Sequence, residues 1–471
     1  MTYRAIPLFS KTQQGVPDIV VTSGIAKIIN AFKNEYNYIV KRRGLDVYID
    51  ITGVDEPVRG VYHWKKQDIT IASCNGRLYL LDITLKTATL IAGDSLADGV
   101  PVFSENGDGS ILFIADGGRL IRWDGSGNAN YEPSITFNVS HVARMNRITI
   151  VNRVGDGRWY FSDTNATAFT PGTDYFNAEA ASDDIKGLVV VREEAFFLGT
   201  DTGEYWYHDG ITFKPKKLII PRGTEAANSL CVSDDIIYFL DSKRQFIQAP
   251  GAGQEVIVSS NYRDEFEGLE TTNDCMATPI RVDGHSAIRL DFPSDSRTFV
   301  YDIVYKDWFE WSYWDTGYGI HKQYLGNGFC YIDSAGLTLM GDRRFNGQIL
   351  VEDKDTYQDD SDAILVAVTT GHIDWGVAAM YKYCSRMYGY FKRGIANAAV
   401  LIPKVMFRWR DNRRGWNNKL TFSLGQTGEY EIDVNFGSCG RYKSRQIEVS
   451  HSDATEFVMM GLAEDNDPEE A

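Results

Sequence analysis

The stretch GRLYLLD (residues 76–82) consists of a glycine, a run of apolar and aromatic residues, and an aspartate six residues after the glycine. The same pattern recurs along the chain, once with serine in place of glycine, in GRLIRWD (118–124), GRWYFSD (157–163), GEYWYHD (203–209), SRTFVYD (296–302) and GLTLMGD (336–342). A looser copy begins at Ser242 and lacks the aspartate. This internal repeat is the main indicator of the fold.

Each copy follows another β-forming run, such as DITIAS before Gly76. Two such runs joined through a glycine turn form a β-hairpin, because glycine adopts the positive φ that hairpin turns require. The copies begin 39 to 54 residues apart, and a four-stranded propeller blade takes about 40 to 50 residues. The repeat therefore predicts an all-β protein with a β-propeller of six to seven blades across residues 57–352.

The remaining chain divides by composition. Residues 1–56 are predicted to form an extended N-terminal arm, 353–362 an acidic linker, and 363–460 an additional β-rich C-terminal region. The last residues, 461–471, are rich in acids and poor in apolar side chains, which predicts a disordered acidic tail.

Net charge restricts the partners. With 48 basic and 64 acidic residues the chain carries −16, which argues against wrapping nucleic acid tightly but allows DNA to slide past an acidic wall. The start lacks a signal-peptide pattern, and no apolar stretch reaches the ~18 residues of a membrane helix. The six cysteines and seven histidines show no metal-binding spacing, so no cofactor or metal is predicted.

An aromatic run, YKDWFEWSYWDTGY (305–318), holds seven aromatics in fourteen residues. Exposed aromatics at this density could stack on sugars, which leaves a glycan-binding or glycan-cleaving propeller as the alternative function. The alternation within the run favours a blade strand.

Positive charge is concentrated in RWRDNRRGWNN (408–418), which lies between two β-forming runs. A hairpin with an arginine-rich tip follows from the turn-forming residues Asn412, Gly415 and Asn417. From the residues alone, the tip is either a solvated structural turn with salt links to acidic neighbours or a nucleic-acid contact. The candidate contact residues are Arg408, Arg410, Arg413, Arg414 and Trp416.

Read onward to residue 462, this stretch resembles the C-terminal signature of the tail nozzle proteins of short-tailed bacteriophages, also called tail hub or packaged-DNA stabilisation proteins. The segments NAFKNE (30–35) and YIVKRRGL (38–45) resemble motifs near the start of the same family, although Arg43 stands where that family usually has proline. The matching motif residues include Tyr38, Gly44, Leu45, Trp409, Asp411, Gly425, Gly428, Tyr430, Gly440 and Arg445.

The resemblance implies a structural virion protein and not an enzyme. Members form a ring of six copies around a channel, attached through a head-to-tail adaptor protein to the portal. The ring retains packaged double-stranded DNA, passes it out during infection without binding it tightly, and carries tail fibres, tailspikes or a needle. For this chain the resemblance implies a homohexamer in the phage tail, synthesised in the host cytoplasm, and it favours a subunit or adaptor contact for the arginine-rich tip.

Overall fold

The computed structural model describes residues 2–6, 25–166, 168–178, 183–249, 255–377, 379–431 and 433–468. Strands dominate this part of the chain. Its helical segments are one five-residue α-helix, α1 (Arg263–Glu267), and 3-10 turns at Thr164–Ala166, Ala227–Ser229 and Ser260–Tyr262. Among the described residues, no helix is long and apolar enough to cross a membrane.

Five strands precede the first blade: β1 (Thr2–Ile6), β2 (Ile25–Ile29), β3 (Ala31–Lys33), β4 (Ile39–Lys41) and β5 (Gly44–Asp50).

Seven four-stranded antiparallel units then follow within the described residues. In chain order, their strands are β6 (Val58–Trp64), β7 (Ile69–Cys74), β8 (Arg77–Asp82) and β9 (Thr87–Ile91); β10 (Val102–Glu105), β11 (Leu112–Ala115), β12 (Ile121–Trp123) and β13 (Asn130–Tyr131); β14 (Val142–Met145), β15 (Ile148–Asn152), β16 (Arg158–Phe161) and β17 (Tyr175–Asn177); β18 (Ile185–Val191), β19 (Glu194–Gly199), β20 (Gly203–His208) and β21 (Phe213–Ile220); β22 (Cys231–Ser233), β23 (Ile236–Leu240), β24 (Phe246–Ala249) and β25 (Val256–Ile257); β26 (Met276–Val282), β27 (His285–Phe292), β28 (Arg297–Asp302) and β29 (Asp307–Asp315), with β30 (Ile320–Gln323) on the end of β29; and β31 (Gly326–Ile332), β32 (Leu337–Asp342) and β33 (Gln348–Asp353), completed by β5. The predicted propeller is confirmed.

The ring is closed by β5, a strand that precedes the first blade in sequence. It pairs antiparallel with β33, with Ile49 opposite Ile349 and Gly44 opposite Asp353. On the inner side, Asn327 of β31 donates a side-chain hydrogen bond to the carbonyl of Val58 in β6 (3.0 Å). The seventh blade is therefore assembled from both ends of the propeller, which ties the first and last blades together.

The aspartate of the repeat ends the third strand of a blade and fixes the turn to the fourth. Asp209, for example, accepts hydrogen bonds from the backbone N–H groups of Ile211 (2.9 Å) and Thr212 (2.8 Å). A side-chain oxygen that caps the backbone in this way stabilises a tight turn. The same acceptor role is filled by Asp82, Asp124 and Asp302.

One predicted copy is out of phase. The segment beginning at Gly336 lies between the first and second strands of blade seven, whereas the other copies lie between the second and third. The copy equivalent to the others is GQILVED (347–353), in which Gly347 has φ +63°. The step from Ser296 to Gly336 is 40 residues, close to the length of a blade. Hairpins join the first and second strands of a blade as well as the second and third, so the same sequence pattern can occur at either turn.

Aromatic side chains fill the spaces between neighbouring blades. Trp159 of blade three is fully buried and lies against Phe197, Phe213 and Trp206 of blade four, with ring centroids 4.8, 5.0 and 5.2 Å apart. A buried aromatic removes about 150–250 Å² from water, worth at most about 4 to 6 kcal/mol. Such contacts bury apolar surface between neighbouring blades.

The C-terminal strands form a β-sandwich with the N-terminal ones. They are β34 (Gln358–Asp359), β35 (Asp362–Ala363), β36 (Val366–Thr370), β37 (Lys382–Phe391), β38 (Lys404–Asp411), β39 (Leu420–Ser423), β40 (Asp433–Gly437), β41 (Gly440–Tyr442), β42 (Arg445–His451) and β43 (Val458–Pro468). One sheet continues blade six in the order β29-β2-β36-β42-β38-β39, and the other runs β3-β4-β43-β37-β40 with β1 on β43 and β41 on β37. Phe407 and Phe436 stack across the two sheets with ring centroids 4.3 Å apart.

Three predicted segments differ from the structure. The tail is not disordered over 461–468, because β43 pairs there with β37 and β1 and the carboxylate of Glu464 is buried; residues 469–471 lie outside the described part. The acidic segment 353–362 contains the end of β33 and two short strands, one of which pairs with β5. In the predicted arm, β5 belongs to the propeller and β2 to the sandwich, while residues 7–24 are outside the described part.

A buried ion pair joins propeller and sandwich. Arg42 is 2% exposed and Asp359 fully buried, and two guanidinium nitrogens of Arg42 donate to the two carboxylate oxygens of Asp359. Arg42 also donates to Asn30 Oδ1 (3.0 Å) and to the carbonyl of Ser312 in blade six (2.9 Å). Asn30 in turn donates to the carbonyl of Leu365 at the start of the sandwich (2.9 Å). Four separate parts of the chain therefore meet at one guanidinium group.

Replacing Asp359 by asparagine should lower the free energy of unfolding by about 3 kcal/mol, because it leaves the buried Arg42 without its counter-ion. Urea unfolding followed by fluorescence measures the change. The matched control is Asp333→Asn, which removes the partner of Lys65 in an ion pair whose side chains are 60% and 68% exposed and should cost under about 1 kcal/mol. Equal effects of the two substitutions would show that the buried pair does not stabilise the junction.

Candidate functional site

The predicted arginine-rich hairpin is present, and its arginines differ in exposure. Arg408 and Arg410 lie on β38, and their guanidinium groups lie 4.8 and 5.1 Å from the ring centroid of Trp416. Arg408 forms an ion pair with Glu448 of the neighbouring β42 (2.5 Å), and Arg410 donates to Gln446 on the same strand. These two arginines are therefore held by their own chain.

Arg413 and Arg414 are different, because both side chains are exposed at the tip and form no ion pair with another described residue. The turn that carries them has positive φ at Asn412 (54°) and Arg413 (59°), and Arg414 N–H donates to the carbonyl of Asp411 (3.0 Å). The side chain of Asn412 accepts from the backbone of Lys443 (2.9 Å), which anchors the turn. The hydrogen bonds of this turn therefore hold the backbone of two exposed cations in a defined conformation.

Motif residues at the base of this hairpin have structural roles. Asp411 accepts two hydrogen bonds from Arg445 (2.7 and 3.0 Å), and the buried Arg445 also donates to the carbonyl of Cys439 (2.7 Å). Trp409 packs against the sandwich core. Gly440 has φ +75°, a conformation that favours glycine. These residues hold the hairpin in place.

The N-terminal motif is fixed by close backbone contact. A Cβ atom on Gly44 would lie 2.0 Å from the carbonyl oxygen of Gln358, so only glycine fits there. Leu45 is fully buried in the sandwich core cluster. The segment 353–362 therefore packs directly on the motif.

Motif residues from the two ends of the chain meet at a cleft of about 750 Å³ between propeller and sandwich. Tyr38 from the N-terminal motif and Tyr430 from the C-terminal motif both line it. Tyr430 is 70% exposed, and Gly425 and Gly428, with φ +80° and +98°, shape the loop before it. The five predicted interface residues do not line this cleft.

The cleft is basic. Its charged side chains are the cations Lys41, Arg43, Lys354, Lys392 and Arg393 and the anions Asp283 and Glu456. Lys392 pairs with Glu456 (2.6 Å), and Arg43 lies 3.9 Å from Asp283. A local excess of positive charge in a chain of net charge −16 indicates a place for an anionic partner.

Lys41 is the most unusual of these cations, because it is only 1% exposed. Its ammonium group donates to the carbonyl of Asp453 (2.7 Å) and lies 5.9 Å from the Tyr357 ring centroid. Burial, together with the neighbouring charge of Arg42, lowers the pKa of Lys41 to about 7. The sequence could have predicted the burial of Lys41. In the strand Ile39–Lys41, alternation places Lys41 on the same buried face as Ile39.

A family model described as "Bacteriophage P22 Gp10, beta-propeller" (Phage_stabilise) matches residues 24–355. The chain belongs to this phage-stabilisation family. The resemblance of its end motifs to tail nozzle proteins is thereby confirmed at the level of the family. Among curated proteins, no match to the chain is found.

The phage-stabilisation match ends before the sandwich strands β36 to β43, so most of the candidate site is supported by the structure alone. The match does contain β2 to β5 and therefore Lys41, Arg42 and Gly44. The family's propeller region thus includes the segment that joins the propeller to the sandwich.

The inner strands of the phage-stabilisation propeller border a cavity. It has a volume of about 420 Å³ and is lined by the first strands of blades one to five, among them Phe103, Arg144, Val190 and Val232. Among the described residues that line this cavity, Glu105 is the single carboxylate, and it accepts a hydrogen bond from Tyr62 (3.0 Å). Most glycosidases use a pair of carboxylates.

The aromatic run 305–318 belongs to the core of blade six. Trp308, Phe309 and Trp311 are 2%, 0% and 5% exposed. Tyr318 is 79% exposed, with the ammonium group of Lys322 lying 5.0 Å from its ring centroid. The run therefore provides packing and not a row of sugar-stacking rings. The described residues also contain no cluster of three or more His, Cys, Asp or Glu side chains that could hold a metal ion.

Replacing Lys41 by methionine should raise the free energy of unfolding by about 2 kcal/mol at pH 6, because it removes a buried cation that forms no ion pair with a carboxylate among the described residues. The unfolded chain keeps this proton up to about pH 10 and the folded chain only up to about pH 7. Wild-type stability should therefore rise relative to the variant between about pH 7 and 10.

Urea unfolding of both proteins from pH 6 to 10 measures this difference. Lys354→Met, at an exposed position in the same cleft, is the matched control and should change stability by less than about 0.5 kcal/mol. Parallel pH profiles of wild type and Lys41→Met would contradict the depressed pKa.

Proposed function

We propose that this chain is the tail nozzle of a short-tailed phage, a ring of about six copies below the portal and its adaptor that retains packaged DNA and forms the channel for its ejection. The proposal is carried by the match of residues 24–355 to the phage-stabilisation family. Its mechanism is connection and gating, with no chemical step. Tail fibres, tailspikes or a needle would attach to the same ring.

We place the route of DNA between subunits. The cavity bordered by the inner propeller strands has a volume of about 420 Å³, far less than one turn of a duplex occupies, which is about 34 Å long with a major groove about 12 Å wide. This supports a channel formed by the opening that several copies would enclose.

The charge of the chain suits a channel of this kind. A net charge of −16 repels phosphate on average, so DNA can move along the wall without the counter-ion release that accompanies tight binding. Cations that would hold DNA are largely paired within the chain, as Arg408 is with Glu448.

The exposed tip cations Arg413 and Arg414 are suited to contact a neighbouring subunit or the adaptor. Arginine is enriched at interface hot spots. A turn that is already held by hydrogen bonds loses little conformational entropy when it binds a partner.

Replacing Arg413 and Arg414 together by glutamate should leave the free energy of unfolding within about 0.5 kcal/mol, because both side chains are exposed. Ring formation on portal–adaptor complexes should fall at least about tenfold. Mass photometry followed by negative-stain imaging measures the fraction of complexes that carry a ring.

The matched control is Lys217→Glu with Lys243→Glu, which makes the same charge change at exposed positions of the propeller where no ion pair with another described residue is formed. Normal rings with DNA leaking from assembled particles would assign the tip to a DNA contact. Normal rings that retain DNA would make the tip ordinary solvated surface.

A further inference from the structure

Ring formation does not account for the basic cleft between propeller and sandwich. We propose that it binds an acidic peptide segment of a neighbouring protein in the tail, anchored by the ammonium group of Lys41. That the neighbour is a tail protein rests on the proposed function. The chemistry of recognition, carboxylates on a basic and partly apolar cleft, rests on the cleft itself.

Lys41 is a buried cation whose hydrogen bonds are incomplete. An ammonium group has three donors, and among the described residues Lys41 donates one hydrogen bond, to the carbonyl of Asp453. The nearby carboxylates are engaged elsewhere, since Asp359 pairs with Arg42 and Asp453 accepts from the backbone of Lys404 (2.7 Å). A carboxylate in the cleft would supply the missing acceptor and counter-charge.

The rest of the cleft provides further charge for such a segment. Lys354 is exposed at the rim and has no ion-pair partner among the described residues. Arg393 is largely buried, donates to the carbonyl of Leu424 (3.1 Å) and is 3.2 Å from Glu429. Two glutamates or aspartates a few residues apart could therefore reach Lys41 and Lys354 at once.

Apolar lining favours a peptide over a nucleic acid or a free anion. Phe32, Val40, Ile395 and Met460 line the same cleft, and a phosphate ion would leave these surfaces uncovered. A volume of about 750 Å³ is within the ~300–1,000 Å³ of pockets that enclose organic ligands. A stiff DNA duplex cannot enter such a pocket, whereas a peptide can place carboxylates and apolar side chains in it together.

The test is fluorescence anisotropy with the full chain and a fluorescein-labelled peptide, Glu-Glu-Phe-Glu-Glu-Leu-Glu, at low ionic strength. The matched peptide has glutamine at every glutamate. The acidic peptide should bind at least tenfold more tightly than the glutamine peptide. Inorganic phosphate and a 20-base-pair duplex, added as competitors, should displace it only weakly.

Two variants locate the binding. Lys41→Met should weaken binding of the acidic peptide at least tenfold, and the double variant Lys354→Glu with Lys392→Glu, at the rim, should do the same without altering the buried cation. Lys65→Met, on the propeller far from the cleft lining, should bind as wild type does. Circular dichroism measures whether each variant is folded. If Lys41→Met does not fold, the rim variant still tests whether the peptide binds in the cleft.

Equal binding by wild type and both cleft variants would overturn the proposal, as would equal affinity for the glutamine peptide. Displacement by phosphate or duplex as effective as by unlabelled peptide would replace it with a general anion site. These outcomes are independent of the nozzle proposal, because they concern the isolated chain, whereas ring formation is measured on the portal complex.

Discussion

The buried ion pair between Arg42 and Asp359 is the interaction on which the arrangement of this chain depends. A buried guanidinium group must have a counter-ion and acceptors for its donors, and here they come from the segment after the last blade, from blade six and from the first strands. Arg42 directly precedes the strand segment that closes the ring on β33, and its partner Asp359 lies opposite Leu45 of that same strand β5. Ring closure and attachment of the sandwich are therefore coupled.

This coupling has a mechanical consequence. Strand β2 hydrogen-bonds to β29 of blade six and to β36 of the sandwich, so one sheet runs from the propeller into the sandwich. A continuous sheet connects the two parts through backbone hydrogen bonds, so that they move together. The basic cleft lies beside this connection, where a bound segment would contact both parts.

The features predicted from the sequence are those encoded locally. A hairpin with a capping aspartate is determined by neighbouring residues, so the repeat that begins at Gly76 predicted the blades. Pairing between strands that are distant in sequence has no such local signature. For this reason the sequence predicts an extended arm where the structure has β5 in the propeller. The acidic composition of 461–468 predicted disorder, but antiparallel pairing with β37 and burial of Glu464 against Trp375 and Tyr442 overcome it. The motif residues Tyr38 and Tyr430 were found by resemblance, whereas their shared cleft required the fold.

Electron cryo-microscopy of this chain assembled on portal–adaptor complexes tests whether it forms the tail nozzle. We expect a ring of about six copies around an opening wider than a duplex, with the propellers arranged around that opening and with propeller and sandwich joined through Arg42 in every copy. Single unassociated copies, or a ring whose open passage runs through the propellers themselves, would contradict it.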